Sequence, residues 1–136
     1  MRPRDEVRRE IVQQWLAKAD EDFAVAERLV CGEEPLLASA AFHAQQAAEK
    51  FLKALLVHYQ IEFRKTHDLG ELLDLVAQVD RPLADSLGDV TALNPYGVET
   101  RYPGDHADVR QRDAEDAVSL AGRVRQAVRR ALGHRE

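Results

Sequence analysis

The segment that decides the fold runs from Ala41 to Leu56 and reads AFHAQQAAEKFLKALL. At about 100° per residue, a helix formed by this segment has small and apolar side chains on one side and polar side chains on the other. The apolar side consists of Ala41, Ala44, Ala48, Phe51, Leu52 and Leu55. The polar side consists of His43, Gln45, Gln46, Glu49, Lys50 and Lys53. These polar residues are more varied than solubility requires, which makes them the first candidates for a functional site.

The composition is that of a folded, water-soluble chain. Of its 136 residues, 45% are hydrophobic and 32% are charged, which predicts a single domain over residues 1–136 with a core at about 6–132. No apolar run approaches the roughly 18 residues of a transmembrane helix, and the charged N-terminus shows no secretory signal. The lone Cys31 cannot form an internal disulfide, which is typical of a reducing compartment. We therefore expect a cytoplasmic protein that does not associate with membranes.

Charge is unevenly distributed along the chain. The formal net charge of -5 disfavours a generally basic nucleic-acid-binding surface. Acidic residues gather at Asp20, Glu21 and Asp22, which we interpret as surface or partner contacts. Arginines gather near the other end, at Arg123, Arg125, Arg129, Arg130 and Arg135. The simplest interpretation of these arginines is that they offset the dipole of the last helix.

Apolar residues recur at helical spacing through most of the chain, and no alternating strand pattern competes with them. The predicted helices cover about residues 6–30, 35–59, 69–79 and 83–93, and a last helix follows a loop that ends at about residue 112. The apolar positions of this last helix lie between residues 117 and 132. Asp68 and Glu71 resemble a capping box at the start of the third helix. The predicted fold class is therefore all-α, an antiparallel up-and-down bundle of about five helices. Residues 97–112 lack periodicity, which indicates a functional or partner-contacting loop.

Four segments in this order resemble the HEPN superfamily of small all-helical domains, and in particular its stand-alone prokaryotic branch. They are Ala19-Asp20 with Ala26, residues 42–50 with 53–56, the run Lys65-Thr66-His67-Asp68-Leu69, and Arg101-Tyr102-Pro103. The two middle segments are the most specific as a pair. The resemblance implies a helical bundle that commonly forms a homodimer. It also implies a frequent partner, a minimal nucleotidyltransferase, in a toxin-antitoxin-like or two-component pair.

Many HEPN proteins resemble metal-independent ribonucleases whose signature is an Arg followed, after four to six residues, by a His. Arg101 and His106 match this spacing with four residues between them. A His of near-neutral pKa can take the proton of an RNA 2′-hydroxyl, and an Arg can hold phosphate oxygens through two hydrogen bonds. A two-fold dimer would bring two such pairs to one cleft. This candidate catalytic pair needs no metal and no cofactor.

The segment also departs from the ribonuclease pattern. In the ribonuclease members the motif normally lies on a helix and a polar residue commonly follows the Arg, whereas here Tyr102 and Pro103 follow it. Pro103 disfavours a helical conformation at Tyr102, which predicts a loop. Members that are modified by the nucleotidyltransferase have a Tyr two residues after the motif His, and this chain has Asp108 there. That regulation is therefore not expected.

A second candidate site would bind a nucleotide or RNA. Four of its residues fall within about 80° of arc on the second helix, and the turn after that helix can bring two more beside them. Two tyrosines that flank the loop could stack on a base. The candidate binding residues are His43, Gln46, Lys50, Lys53, Lys65, His67, Tyr96 and Tyr102.

The polar residues also have a purely structural interpretation. His43 and His67 can hydrogen-bond neighbouring helices, the lysines can be solvated, and Glu49 can pair with Lys53 four residues later. Asp68 is then the N-cap of the third helix, and a metal site at His67 is not expected because no second ligand lies at a suitable spacing. Three functions stay open: a ribonuclease, a non-catalytic nucleotide-binding or substrate-binding subunit of a nucleotidyltransferase, and a structural dimerisation module.

Overall fold

The computed structural model describes residues 4–97 and 108–133, and this part of the chain is helical without any strand. Its elements are α1 (Arg4–Val30), α2 (Leu37–His58), α3 (Leu69–Ala77), α4 (Arg81–Ser86), a 3-10 helix (Gly88–Tyr96) and α5 (Gln111–Ala131). The prediction of an all-α bundle is confirmed. Within the same ranges, no helix is long and apolar enough to cross a membrane.

Helix α2 is the central element, since it packs against α1, α5, α3 and the 3-10 helix. Its fully buried alanines are Ala40, Ala41, Ala44, Ala47, Ala48 and Ala54. Small side chains at these positions let the neighbouring helix axes approach closely. Its large buried side chains, Phe51, Leu52, Leu55 and Leu56, fill the space towards the middle of the bundle. The apolar side predicted from the sequence is therefore buried, but the buried surface of α2 is wider than that stripe.

The predicted fourth helix is wrong in its extent, because the structure divides it into two elements. Helix α4 begins after Asp80, whose side chain accepts a hydrogen bond from the amide of Leu83, and it ends at Ser86. The chain then continues as the 3-10 helix, which includes Pro95. Glycine at position 88 has low helix propensity and Pro95 provides no amide donor, so the tighter 3-10 turns replace a continuous α-helix.

The acidic residues of α1 also differ from their predicted role. Asp20 accepts a hydrogen bond from Nε of Arg125 at 3.1 Å and another from Arg129. Asp22, two residues later on α1, pairs with residues of α2. Asp20 and Asp22 are thus internal partners that tie α5 and α2 to α1. The two arginines bind a carboxylate of another helix, which sequence spacing could not reveal because their partner lies more than 100 residues away.

Ala44→Leu is expected to lower the free energy of unfolding by about 1–3 kcal/mol, because Ala44 has no exposed surface and the added carbons must enter a filled core. Ala17→Leu is the matched control, since Ala17 is exposed on α1 and its substitution should change stability by less than about 0.5 kcal/mol. Urea unfolding followed by circular dichroism measures both values. Equal unfolding midpoints for the two variants would contradict the close packing of α2.

Candidate functional site

The first of two polar clusters lies between α1 and α2 and comprises Asp22, His43 and Lys50; we call it the Asp22 cluster. One carboxylate oxygen of Asp22 accepts a hydrogen bond from Nδ1 of His43 at 2.8 Å, and the other accepts one from Nζ of Lys50. The His43 side chain is 29% exposed. Because both oxygens of the carboxylate are used, this cluster joins two helices and neutralises a largely buried charge. The predicted hydrogen bond of His43 to a neighbouring helix is therefore present.

The second cluster lies between α2 and the turn before α3 and comprises Glu49, Lys53 and His67; we call it the Glu49 cluster. Oε1 of Glu49 accepts a hydrogen bond from Nδ1 of His67 at 2.7 Å, and Oε2 accepts one from Nζ of Lys53 at 3.0 Å. The predicted pair of Glu49 and Lys53 is confirmed. The Glu49 side chain is only 4% exposed, whereas that of His67 is 70% exposed. A buried carboxylate thus holds an imidazole that faces solvent.

Lys53 does not face solvent, although the sequence pattern places it on the polar side of α2. Its Nζ lies 5.6 Å from the ring centroid of Trp15 and 5.8 Å from that of Phe63. These distances are within the range of cation–π attraction. The two rings themselves pack edge to face at 6.4 Å. Helix α1 and the segment after α2 therefore cover Lys53, and its charge stabilises Glu49 inside the protein.

Gln45 is fully buried and fastens the turn of His67 to α2. Its Nε2 donates to the backbone carbonyl of His67 at 3.1 Å and lies 3.4 Å from Oε1 of Glu49. Its Oε1 accepts a hydrogen bond from Nε2 of Gln46 at 2.7 Å. Sequence reasoning selected Gln46 as a candidate ligand contact and missed Gln45. The helical wheel separates the two, because at 100° per residue Gln45 lies about 20° from Leu52 on the apolar side, whereas Gln46 lies about 120° from it.

The turn before α3 is held rigidly on its other side. Asp68 is the N-cap of α3, as predicted, and its Oδ1 accepts from the amide of Gly70 at 2.9 Å and from Nδ2 of Asn94 at 3.1 Å. Oδ1 of Asn94 in turn accepts from the amide of Leu69 at 2.9 Å. The 3-10 helix therefore fixes the backbone that carries His67.

The predicted capping box of Asp68 and Glu71 does not form. Glu71 instead accepts two hydrogen bonds from the Arg64 guanidinium, at 2.5 and 3.1 Å. The amide of Asp68 donates to Oγ1 of Thr66 at 3.1 Å. Hydrogen bonding from Arg64 lowers the pKa of the Glu71 carboxyl below its ordinary value and keeps this side chain ionised. A nearby guanidinium, which competes better than a backbone amide for a carboxylate, explains the difference.

The predicted loop begins beside the Glu49 cluster. A Cβ built at Gly97 would lie 3.2 Å from Cδ of Gln45 and 3.3 Å from the backbone oxygen of Asn94, so the backbone approaches α2 closely here. On the far side of the loop, Val109 packs against a small apolar cluster that includes Ala40 of α2. The residues on either side of segment 98–107 therefore both pack against the helical bundle. The candidate residues Arg101, Tyr102 and His106 lie outside the described residues.

Comparison with known families and structures agrees with this architecture. The HEPN domain family model matches residues 12–131. The chain belongs to the HEPN family. Among solved structures, TT1696 from Thermus thermophilus is 28% identical with a TM-score of 0.69, and ST0689, described as an archaeal HEPN homologue, is 26% identical with a TM-score of 0.69. Each comparison covers 88% of this chain and 96% of the other. No curated protein matches the chain significantly.

The other predicted binding residues of this HEPN protein occupy different environments. Lys65 is exposed in the same turn as His67. Tyr96 is half-buried, packs against the core and lies immediately before Gly97. Lys50 is committed to the Asp22 cluster. Of the predicted binding residues in the described ranges, Lys65 and His67 are the exposed ones. In the two described ranges, no group of three His, Cys, Asp or Glu side chains is arranged to hold a metal ion.

Lys53→Met is expected to lower the free energy of unfolding by about 3 kcal/mol, because it leaves the buried Glu49 carboxylate without its cation. Urea unfolding provides the measurement. The control is Lys65→Met, which changes an exposed lysine and should have an effect below about 0.5 kcal/mol. The double variant Glu49→Gln/Lys53→Met should recover part of the loss, since no unpaired buried charge remains. A Lys53→Met variant as stable as the control would contradict the role given to this ion pair.

Proposed function

We propose that this HEPN protein binds RNA or a nucleotide through a phosphate group, as one component of a toxin-antitoxin-like or two-component pair with a minimal nucleotidyltransferase. The observation that carries this proposal is the exposed His67, which a buried carboxylate holds beside the start of the predicted loop. We infer a cytoplasmic homodimer of chains that each form one domain. The resemblance of residues 42–50 and 65–69 to stand-alone prokaryotic HEPN proteins supports a minimal nucleotidyltransferase as the partner.

The chemistry around His67 suits a phosphate. A protonated imidazole and the Lys65 ammonium are both cationic hydrogen-bond donors, and they lie two residues apart in one turn. The Lys53 charge offsets the Glu49 charge at 3.0 Å, so the carboxylate orients His67 without leaving an uncompensated negative charge beneath the site. The fixed turn reduces the conformational entropy that binding would otherwise cost.

Lys65→Ala/His67→Ala should weaken binding of labelled single-stranded RNA about tenfold or more, because two phosphate donors are lost. Fluorescence anisotropy measures the affinity at a fixed salt concentration. The matched control is Lys18→Ala/His58→Ala, which removes a lysine and a histidine elsewhere and should bind like the wild type. Competition by ATP and by inorganic phosphate distinguishes a nucleotide site from an RNA site. Equal affinities for the two double variants would contradict the site.

The described residues on either side of segment 98–107 support a second candidate function, metal-independent cleavage of RNA by Arg101 and His106. Gly97 lies close to Gln45 of α2, the helix that carries the Glu49 cluster. Val109 packs against the apolar cluster of Val30, Ala40 and Ala114, so both flanking residues contact the bundle. A fixed guanidinium and a neutral imidazole are the groups that such cleavage needs, since one offsets phosphorane charge and the other accepts the 2′-hydroxyl proton.

Arg101→Ala and His106→Ala should each abolish cleavage of labelled single-stranded RNA in the presence of a chelator. Arg112→Ala, which changes an exposed arginine at the start of α5, should leave cleavage unchanged. The wild type expressed without its partner should also inhibit growth. If the wild type binds RNA but does not cleave it, the protein is a non-catalytic subunit of a nucleotidyltransferase. If the wild type neither cleaves nor binds RNA but still dimerises and docks its partner, the protein is a structural module.

A further inference from the structure

His67 and its turn make more hydrogen bonds to other parts of the protein than an exposed residue needs. Its Nδ1 is held by Glu49 and its backbone carbonyl by Gln45, and the following residues are fixed by Asn94. Glu49 and Gln45 are almost completely buried, and Lys53 completes the carboxylate's hydrogen bonding. Holding a 70% exposed imidazole in this way stabilises the fold little, because most of the ring stays in water. The arrangement instead fixes the direction of the ring.

The hydrogen bond to Glu49 also determines the tautomer of neutral His67. A carboxylate only accepts hydrogen bonds, so Nδ1 must carry a proton at the 2.7 Å contact. The lone pair of the neutral ring is then on Nε2, at the end of the ring away from Glu49. These are the properties of an oriented general base.

The Asp22 cluster shows the same pairing without the same accessibility. His43 also bonds a carboxylate through Nδ1, but its side chain is only 29% exposed. Its ring also packs against Phe42, with the ring centroids 5.2 Å apart. His67 lies beside the start of the loop and is far more open to a ligand. Of these two histidine–carboxylate pairs, that of His67 has the imidazole that is more accessible to a substrate.

We propose that His67 is a catalytic base for RNA cleavage and that Glu49 is its positioning residue. This inference rests on the proposed ribonuclease function, but it assigns the base that accepts the 2′-hydroxyl proton to His67 of the bundle rather than to His106. Neutral Nε2 takes the proton of the 2′-hydroxyl, the 2′-oxygen forms a bond to phosphorus, and the bond from phosphorus to the 5′-oxygen breaks. The leaving 5′-oxygen takes a proton from solvent, and His67 returns its own proton to solvent. The products are a 2′,3′-cyclic phosphate and a 5′-hydroxyl.

His67→Ala should slow RNA cleavage about 100-fold or more at saturating RNA, the range expected for loss of a general base. Added imidazole should restore part of the rate, which it could not do if His67 only supported the fold. The control is His58→Ala, whose ring packs on Tyr59 at the other end of α2. That variant should keep the wild-type rate with or without imidazole. RNA with a 2′-deoxy substitution at the cleavage site cannot be cleaved by this route. The affinities of the wild type and His67→Ala for this RNA therefore report binding alone.

Glu49→Gln tests the positioning role. The glutamine amide can donate to Nδ1 and so favour the opposite tautomer, which should slow cleavage about tenfold or more. Glu49→Gln/Lys53→Met removes the buried charge imbalance and should stay slow although it recovers stability. Nitrogen-15 NMR at alkaline pH should find the neutral His67 proton on Nδ1 in the wild type and on Nε2 in Glu49→Gln. A wild-type proton on Nε2 would overturn the proposal whatever the activity.

The remaining outcomes separate this inference from the function on which it rests. A wild type that cleaves no RNA overturns both the ribonuclease function and the role of His67. A wild type that cleaves RNA while His67→Ala is unimpaired overturns only the role of His67. A His67→Ala rate that falls only in proportion to RNA affinity, without rescue by imidazole, assigns His67 to binding and likewise overturns its role as a base.

Discussion

The structure depends on the burial of α2 on almost every side. Because α1 and α5 pack closely against its alanines, and the turn before α3 lies over its remaining face, polar residues of α2 cannot all reach water. Gln45, Glu49 and Lys53 are consequently buried. A buried charge is tolerated only when it is paired and hydrogen-bonded. This requirement accounts for the arrangement of the polar residues along the helix.

Both carboxylate clusters pair a buried charge, but they leave their histidines in different environments. Asp22 uses its two oxygens to bind His43 and Lys50 across the contact between α1 and α2. Glu49 uses its two oxygens on Lys53, which lies under two aromatic rings, and on His67 of a separate turn. The first cluster joins helices. The second leaves an imidazole at the surface in a fixed direction, which is the physical basis of the functional proposals for this HEPN protein.

Much of the fold was predictable because local patterns and packing agree. The repeat of small and large apolar residues in α2 and the N-cap at Asp68 are local signals, and both appear in the structure. The fourth helix was not predictable in its extent, since an apolar spacing that suits an α-helix also suits 3-10 turns. Of the candidate site, the helical wheel placed Lys53 and His43 together on one polar side. It could not show that α1 covers one part of that side and the turn of His67 another.

By itself, the sequence determined the all-helical bundle, the position of most helix ends, the pairing of Glu49 with Lys53 and the resemblance that identified the HEPN family. These follow from interactions between residues a few positions apart, or from motifs in the linear chain. Only the tertiary structure decided which polar residues are buried, that Gln45 supports His67, and that Arg125 and Arg129 bind Asp20. The physical reason is that burial and long-range pairing depend on which segments meet in space.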